Sequence, residues 1–232
     1  MNASEVIILV GGLGTRLREA VPDLPKPLAP VAGRPFLAHL LDRFARAGLR
    51  RAILASGYRA EMIEDAIGME WQGMQIVHSL ETERLGTGGA LRHAARLLTG
   101  HGAHVVNGDT WLAYDPIALE RTTGERNAAI GMALAHVDDL ARYGAVVVEE
   151  GRVQRFTEKG GTGAGWINAG AYFFTAAALA ALPDRQAFSL EEDVLVPMAA
   201  AGRVAAFQDT GTFVDIGVPE DYRRAQGLLA SA

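Results

Sequence analysis

Residues 6–17 read VIILVGGLGTRL, and this stretch decides the fold. A short apolar run, rich in β-branched residues, leads directly into glycines at positions 11, 12 and 14. Such a run bounded by glycines is typical of a buried strand that ends in a tight loop. Glycines in that loop let backbone N–H groups approach an anion with no Cβ in the way. The stretch therefore predicts a buried strand followed by an anion-binding loop.

Apolar runs like the first recur along the chain, with helix-like segments between them. They lie at residues 52–55, 75–78, 104–106, 128–134 and 145–148. Residues 36–47 have the clearest helical spacing of apolar side chains, and Gly48 follows where a helix C terminus favours glycine. Strands that alternate with helices predict a layered α/β domain.

The pattern changes after residue 145. Residues 146–148 and 153–156 flank Glu150 and Gly151 and predict a β-hairpin, and a further strand is expected over residues 169–174. Ser189 is a candidate helix cap, and a last helix is expected to open near Pro219. The second half is therefore expected to complete a mixed sheet in the same domain.

Composition and charge exclude several classes of protein. The chain has 232 residues, a formal net charge of −5 and no cysteine. Disulfides, thiolate metal sites and a cysteine nucleophile are excluded, and the lack of cysteine fits the cytoplasm. No block of like charge points to nucleic acid or to a membrane, and no apolar run is long enough to span one. We therefore expect a cytoplasmic protein that binds small molecules.

The first loop does not match the two commonest phosphate-binding motifs. A Walker loop requires Gly-Lys-Ser/Thr at its end, and a dinucleotide fingerprint requires glycine where Leu17 stands. Two cations accompany the glycines instead: Arg16 within the loop and Lys26 between two prolines, whose fixed φ angles restrict the position of the lysine. A glycine loop with two cations suits a triphosphate.

Two aspartates are candidate metal ligands. Asp109 follows the strand predicted at residues 104–106, and in open α/β sheets ligands bind at the carboxyl ends of strands. Asp215 follows the short apolar step at residues 213–214. Mg²⁺ bound by two such carboxylates would keep its other positions for phosphate and water. Asp109 alone is equally compatible with a turn, because Asn-Gly-Asp is common turn chemistry.

Residues 11–17 (GGLGTRL) together with residues 25–27 (PKP) resemble the signature of the sugar-phosphate nucleotidyltransferases. Nearly the whole chain is similar to this family, because residues 85–90 (LGTGGA), 107–109 (NGD), 158–159 (EK), 168–170 (NAG) and Asp215 also match its motifs. Many relatives have alanine where Gly89 stands, a departure expected to be mild. The resemblance implies a single-domain, Rossmann-like fold with a mostly parallel mixed sheet and helices on both faces. It also implies a nucleotide-binding half over residues 1–110 and a sugar-binding half over residues 111–232.

The resemblance also implies roles for individual residues. Catalysis would rest on Arg16, Lys26 and Asp109, the metal on Asp109 and Asp215, and the sugar phosphate on Gly144, Glu158, Lys159 and Asn168. Nucleotide binding would use Leu9, Gly11, Gly12, Gly14, Thr15, Arg16, Lys26, Glu81, Gly86, Thr87 and Asp109. Glu81 favours guanine, because a carboxylate can accept hydrogen bonds from both N1–H and the exocyclic amino group of that base. Glu83 nearby is the alternative residue for recognising the base, here called the base reader.

The implied reaction joins a nucleoside triphosphate and a sugar 1-phosphate with Mg²⁺ as cofactor. Residues 79–81, 85–90, 142–144 and 213–222 are most similar to the short bacterial D-glycero-α-D-manno-heptose 1-phosphate guanylyltransferases. Mannose 1-phosphate guanylyltransferases and N-acetylmuramate 1-phosphate uridylyltransferases resemble the chain closely too. GTP and a heptose 1-phosphate are therefore the favoured substrates, and the oligomeric state stays open, a homodimer included.

Two other classes of protein compete with this interpretation. A metal-dependent glycosyltransferase also uses an aspartate at a strand end of a nucleotide-binding sheet. Arg16 and Lys26 argue against it, because they suit a leaving pyrophosphate that such an enzyme never handles. A catalytically silent nucleotide-sugar sensor would have no need for both cations and both aspartates.

Overall fold

The computed structural model describes residues 3–12, 14, 17 and 21–230. In that part of the chain the strands are β1 (Glu5–Leu9), β2 (Pro30–Val31), β3 (Arg34–Pro35), β4 (Arg51–Ser56), β5 (Glu70–Trp71), β6 (Met74–Leu80), β7 (Gly102–Asn107), β8 (Thr110–Leu112), β9 (Ile130–Val137), β10 (Gly144–Glu149), β11 (Arg152–Lys159), β12 (Gly165–Thr175), β13 (Val204–Phe207) and β14 (Phe213–Asp215). The helices are α1 (Phe36–Arg46), α2 (Ala60–Ile67), α3 (Gly86–Ala95), α4 (Pro116–Glu125), α5 (Ala176–Ala180), α6 (Val196–Ala200) and α7 (Pro219–Leu228). A 3₁₀ turn at Lys26–Leu28 and a π-helical turn at Glu191–Leu195 complete the elements.

One mixed sheet organises the molecule, with the strand order β10-β11-β13-β9-β12-β7-β1-β4-β6-β5. Strands β7, β1, β4 and β6 are parallel to their neighbours within this group. Strand β12 then runs antiparallel to both β7 and β9, so that it joins the parallel group to the second half. The predicted α/β fold with a mixed sheet is confirmed. Among the described strands of this sheet six pairs are antiparallel and four are parallel, because β5, β11 and β12 each run against their neighbours, so the sheet is less parallel than expected.

The helices cover both faces of the sheet because its strands are apolar on both sides. In β1, the buried Val6 and Ile8 face one core with Leu37 of α1, whereas Ile7 faces the other core with Leu91 of α3. Successive side chains of a strand point to opposite faces, so a continuous apolar run supplies both cores. The predicted arrangement of helices on both faces is therefore confirmed.

Most of the predicted elements lie within two residues of the observed ones. The hairpin forms between β10 and β11, with Glu150 and Gly151 at φ angles of +50° and +71°. Ser189 caps as expected, since its Oγ accepts a hydrogen bond from the Glu192 backbone N–H at 3.2 Å. The element it caps, however, opens as the π-helical turn rather than as an α-helix. No helix in the described ranges combines the length and apolarity that crossing a membrane requires.

Candidate active site

A cleft of about 830 Å³ lies where β1, β4, β6 and β7 end. The carboxyl ends of parallel strands are the usual ligand site of open α/β sheets. All of the predicted nucleotide-binding residues that the structure describes line this cleft: Leu9, Gly11, Gly12, Gly14, Lys26, Glu81, Gly86, Thr87 and Asp109. Thr15 and Arg16 lie outside the described residues.

Lys26 is held against the first loop. Gly14 has a φ of +59°, and a Cβ built on it would lie 3.0 Å from the Lys26 Cβ. On the other side, the 3₁₀ turn is closed by the Leu28 N–H, which donates to the Pro25 carbonyl at 2.8 Å. Glycine at position 14 therefore allows the loop to approach Lys26 closely in a left-handed conformation. The lysine backbone is fixed beside the loop, as the two flanking prolines predict.

The Lys26 ammonium group contacts both predicted metal ligands. Its Nζ lies 2.6 Å from Asp109 Oδ2 and 3.4 Å from Asp215 Oδ1. The lysine side chain is 9% exposed, whereas the aspartate side chains are 37% and 29% exposed. Two carboxylates from distant segments therefore converge on one cation, and both remain partly exposed. The sequence predicted this convergence from the position of each aspartate at the end of a strand.

A two-stranded sheet brings the aspartates together. Strand β14 pairs antiparallel with β8, which places Asp215 opposite Thr110, the residue after Asp109. The Ile216 N–H donates to the Asp109 carbonyl at 3.0 Å, and the Gly217 N–H donates to Asp215 Oδ1 at 2.7 Å. Pairing between strands about 100 residues apart thus fixes the separation of the two carboxylates.

The residues present fit a divalent cation such as Mg²⁺. Carboxylate oxygens are ligands that Mg²⁺ prefers, and it usually keeps several waters and binds substrate phosphates as well. Among the described residues there is no cluster of three or more His, Cys, Asp or Glu side chains arranged to hold a metal. The two carboxylates would leave the other positions of a bound Mg²⁺ to phosphate and water.

Glu81 lies within the cleft, against the first loop. A Cβ built on Gly11 would lie 3.0 Å from Glu81 Oε1, and the Leu85 N–H donates a hydrogen bond to the Glu81 carboxylate. Burial raises the pKa of Glu81 above its ordinary value, and the bond from Leu85 partly offsets this. Glu83, the alternative reader, also lines the cleft, and its Oε2 accepts a bond from Gln186 Nε2 at 3.0 Å. Glu81 is therefore a half-buried acceptor beside the loop, whereas Glu83 is engaged at the surface.

The second glycine loop forms the start of α3. Gly86 has a φ of +68°, and Thr87 Oγ1 accepts a hydrogen bond from the Leu190 N–H at 3.0 Å. Both residues line the cleft as predicted, but a segment from the second half packs directly on them. Sequence reasoning missed this contact, because the one feature noted in residues 186–190, the candidate helix cap Ser189, says nothing about packing on the second glycine loop.

The predicted sugar-binding residues lie on three neighbouring strands. Gly144 of β10 pairs with Lys159 of β11, and Ala145 pairs with Ile167, the residue before Asn168. Glu158 and Lys159 are exposed, and neither belongs to the lining of the cleft described above. Gly144, Lys159 and Asn168 therefore share one region of the sheet, and none of the three belongs to the lining of the nucleotide cleft.

Two glycines of this region are explained by the fold. A Cβ on Gly144 would lie 2.5 Å from the Thr157 carbonyl oxygen, so the neighbouring strand alone requires glycine there. Gly170 has a φ of +66° and lies against the Asn107 side chain, at a register shift between β12 and β9. The bulge places Gly170, two residues after Asn168, against Asn107, which lines the nucleotide cleft.

Arg142 and Asp221 form an ion pair that the residue types alone did not reveal. Arg142 Nη2 donates to Asp221 Oδ2 at 2.7 Å, and this bond raises the pKa of Arg142, with a smaller contribution from the charge of Asp215. Nearby, the rings of Tyr143 and Phe213 meet edge to face with centroids 6.1 Å apart. These contacts tie the connection between β9 and β10 to the segment that carries Asp215. The only signal was that Arg142 belongs to one of the motifs shared with relatives.

Comparisons with known proteins agree with this geometry. A family model described as nucleotidyl transferase matches residues 5–231. The D-glycero-α-D-manno-heptose 1-phosphate guanylyltransferase of Aneurinibacillus thermoaerophilus is 39% identical over 97% of this chain and 98% of its own. The mannose-1-phosphate guanylyltransferase of Mycobacterium tuberculosis is 36% identical over 97% of this chain and 64% of its own. The structure of HddC from Yersinia pseudotuberculosis complexed with GMP-PN has a TM-score of 0.84 at 33% identity, covering 97% of this chain and 99% of that chain.

Proposed function

We propose a specific reaction for this chain, which belongs to the nucleotidyl transferase family: transfer of a guanylyl group from GTP to D-glycero-α-D-manno-heptose 1-phosphate. A phosphate oxygen of the sugar attacks the α-phosphorus of GTP, the bond to the β-phosphate oxygen breaks, and pyrophosphate leaves with GDP-heptose as the product. The observation that carries the proposal is the convergence of Lys26, Asp109 and Asp215 beside a glycine loop.

This chemistry needs no activated nucleophile on the protein. The second ionisation of a phosphate monoester lies near pKa ~6, so the sugar phosphate is a nucleophile at neutral pH. Catalysis then reduces to positioning and to neutralising charge on the phosphates. A cleft lined by glycine loops, Lys26 and Asp109, with Asp215 beside Lys26, suits that task.

Each charged residue has its own part in the proposal. Arg16 and the first loop would bind the departing β- and γ-phosphates, and Lys26, beside the aspartates, would bind the α-phosphate. Asp109 and Asp215 would hold Mg²⁺, which when bound supplies positive charge to the reacting phosphates. Lys26 bridges the two carboxylates, so it is well placed to exchange them for phosphate oxygens when the cation and triphosphate arrive.

Glu81 would select the base. Guanine presents N1–H and an amino group side by side, and an ionised carboxylate can accept both. The half-buried position of Glu81, with the Leu85 N–H using one acceptor site, supports this role. A structural relative solved with GMP-PN supports the same base.

The assignment of the sugar is supported by the relatives and by residues on three neighbouring strands, β10, β11 and β12. Lys159 would neutralise the incoming sugar phosphate, while Glu158, Asn168 and the backbone at Gly144 would contact the sugar. Asn168 Oδ1 already accepts bonds from the Tyr172 hydroxyl at 2.9 Å and the Gly170 N–H at 3.0 Å. These bonds orient the Asn168 side chain with its amide NH₂ as the group left to donate. The heptose is favoured by the relative that matches along almost its whole length.

Release of pyrophosphate tests the proposal against its alternatives. The purified protein should be assayed with GTP, UTP, dTTP and ATP, each crossed with heptose, mannose and N-acetylmuramate 1-phosphates, with Mg²⁺ present. We expect pyrophosphate release to be fastest with GTP and the heptose 1-phosphate. A preference for mannose 1-phosphate or for UTP would replace the substrate assignment, and no pyrophosphate with any pair would favour a glycosyltransferase or a sensor. We place the reaction in the cytoplasm, in keeping with a chain that has no cysteine.

A further inference from the structure

Residues 186–190, here called the clamp segment, cross from the second half of the chain onto the start of α3. The Phe188 N–H donates to the Leu85 carbonyl and the Gly88 N–H donates to the Phe188 carbonyl, both at 3.0 Å. The Leu190 N–H donates to Thr87 Oγ1 at the same distance. Three hydrogen bonds thus attach the clamp segment to the second glycine loop, at the edge of the nucleotide cleft.

Glycines in the second loop make room for the clamp segment. A Cβ on Gly86 would lie 2.6 Å from the Phe188 carbonyl oxygen, and one on Gly88 would lie 2.2 Å from the Phe188 ring. A Cβ on Gly89 would lie 2.3 Å from the Gln186 carbonyl oxygen. All three distances are shorter than real Cβ contacts. The glycine at position 89, where many relatives have alanine, was expected to have a mild effect. In the structure it permits the backbone of Gln186 to approach α3 closely.

The clamp segment also contacts the loop that carries Glu81. Gln186 Nε2 donates to Glu83 Oε2 at 3.0 Å, two residues after Glu81 in the chain. Its far end is fixed by Ser189, whose N–H donates to Asp193 Oδ2 at 2.8 Å. This reciprocal cap anchors the clamp segment to the π-helical turn. Residues 81–85 are therefore held between the first loop on one side and an anchored segment on the other.

We propose that the clamp segment positions residues 81–85 for selection of the base, with Gln186 as a positioning residue and Gly89 as the position that allows the contact. The inference rests on the proposed function, because it assigns the segment to the base-reading side of the same cleft. A carboxylate discriminates between bases only when its loop holds it in register with the hydrogen-bonding edge. The hydrogen bonds of the clamp segment to Leu85, Gly88 and Glu83 hold the loop in that position.

Gly89→Ala tests the close approach, with Gly124→Ala as the matched control. Both glycines lie in α-helices, but a Cβ on Gly124 of α4 meets no atom within 4 Å. We expect Gly89→Ala to raise the KM for GTP about 3- to 10-fold, the size of one or two weakened hydrogen bonds. The preference for GTP over UTP should fall, while kcat and the KM for the sugar 1-phosphate stay near wild type. Gly124→Ala should leave every parameter unchanged.

A swap of partners tests Gln186 at an exposed position, where folding is not at risk. Gln186→Glu places two carboxylates together and should raise the KM for GTP. The double variant Gln186→Glu, Glu83→Gln restores a donor and an acceptor with their sides exchanged, and it should recover the wild-type KM. A merely structural side chain at position 186 would give no such rescue. Should Glu83 itself read the base, Glu83→Gln alone would abolish the GTP preference and the swap would not restore it.

Two results would overturn the inference: a KM for GTP in Gly89→Ala equal to that in Gly124→Ala, or a double variant no better than Gln186→Glu. Failure of the proposed function is distinguishable from this, because the wild-type enzyme is first assayed with all four triphosphates. Were UTP the substrate, the guanylyl assignment would fall, yet the KM for UTP in the same variants would still decide whether the clamp segment positions the loop.

Discussion

Glu81→Gln is the substitution that separates base selection from catalysis. Two donors of guanine meet two carboxylate oxygens in the proposed complex, and a carboxylate offers about four acceptor sites, of which Leu85 uses one. Glutamine keeps one acceptor but turns an NH₂ donor toward a guanine donor. Loss of the bidentate pair costs about 1–3 kcal/mol, and the unpaired donor adds about 1 kcal/mol or more. A total of about 2–4 kcal/mol corresponds to a loss of about 30- to 700-fold in kcat/KM for GTP.

The same variant should be more stable than the wild type at neutral pH. Burial raises the pKa of Glu81, so the fold disfavours its ionised form. The cost is present at pH values above the folded pKa and disappears below the ordinary pKa of 4.5, where the side chain is protonated in both states. Glutamine carries no charge and avoids this cost. Glu81→Gln should therefore raise the melting temperature at pH 7, and the gain should shrink as the pH approaches 4.

The assay is kcat/KM by pyrophosphate release with GTP, UTP and dTTP, together with thermal unfolding from pH 4 to 8. Glu83→Gln is the matched comparison, since it makes the same chemical change two residues away at a surface carboxylate, and its smaller effect on GTP use should come only through the contact with Gln186. Equal losses with all three triphosphates would refute the assignment of Glu81 as the base reader. A larger loss of GTP use in Glu83→Gln would transfer that role to Glu83.

Three further predictions address the metal, the phosphates and the pH dependence of folding. Asp109→Ala and Asp215→Ala should each lower kcat at least about 100-fold with modest loss of stability, because electrostatic stabilisation dominates such sites; near-normal turnover in steady-state assays of both would remove the metal assignment. Arg16→Ala should depress turnover with every sugar 1-phosphate, whereas Lys159→Ala should chiefly raise the KM for the sugar 1-phosphate; a change confined to the KM for GTP in Lys159→Ala would contradict this. His104 is fully buried, and burial lowers its pKa from 6.5 to about 4. Between pH 6.5 and 4 this histidine is therefore protonated in the unfolded chain but neutral in the folded protein. The free energy of unfolding should fall by about 3 kcal/mol over this range. Urea unfolding of His104→Leu should show a flatter profile, and an equal slope would assign the loss to other groups.

The sequence by itself determined the parts of the molecule that depend on local pattern. The apolar run at residues 6–10 predicts a strand buried on both faces, and the glycines after it predict the loop that borders the cleft. Asp109 could be placed at the ligand edge because it follows a strand directly, and Lys26 could be placed beside the loop because two prolines restrict it. Each of these conclusions rests on neighbours within a few residues, where steric and hydrogen-bonding preferences are encoded directly.

Only the tertiary structure decided which distant segments meet. The separation between Asp109 and Asp215 depends on the pairing of β14 with β8, two strands of three residues each that carry little periodicity of their own. The contact of residues 186–190 with α3 is equally hidden, since the glycines it requires read in the sequence as a nucleotide loop alone. Pairing across about 100 residues depends on the loop closure and packing of the whole chain, and no local preference specifies it.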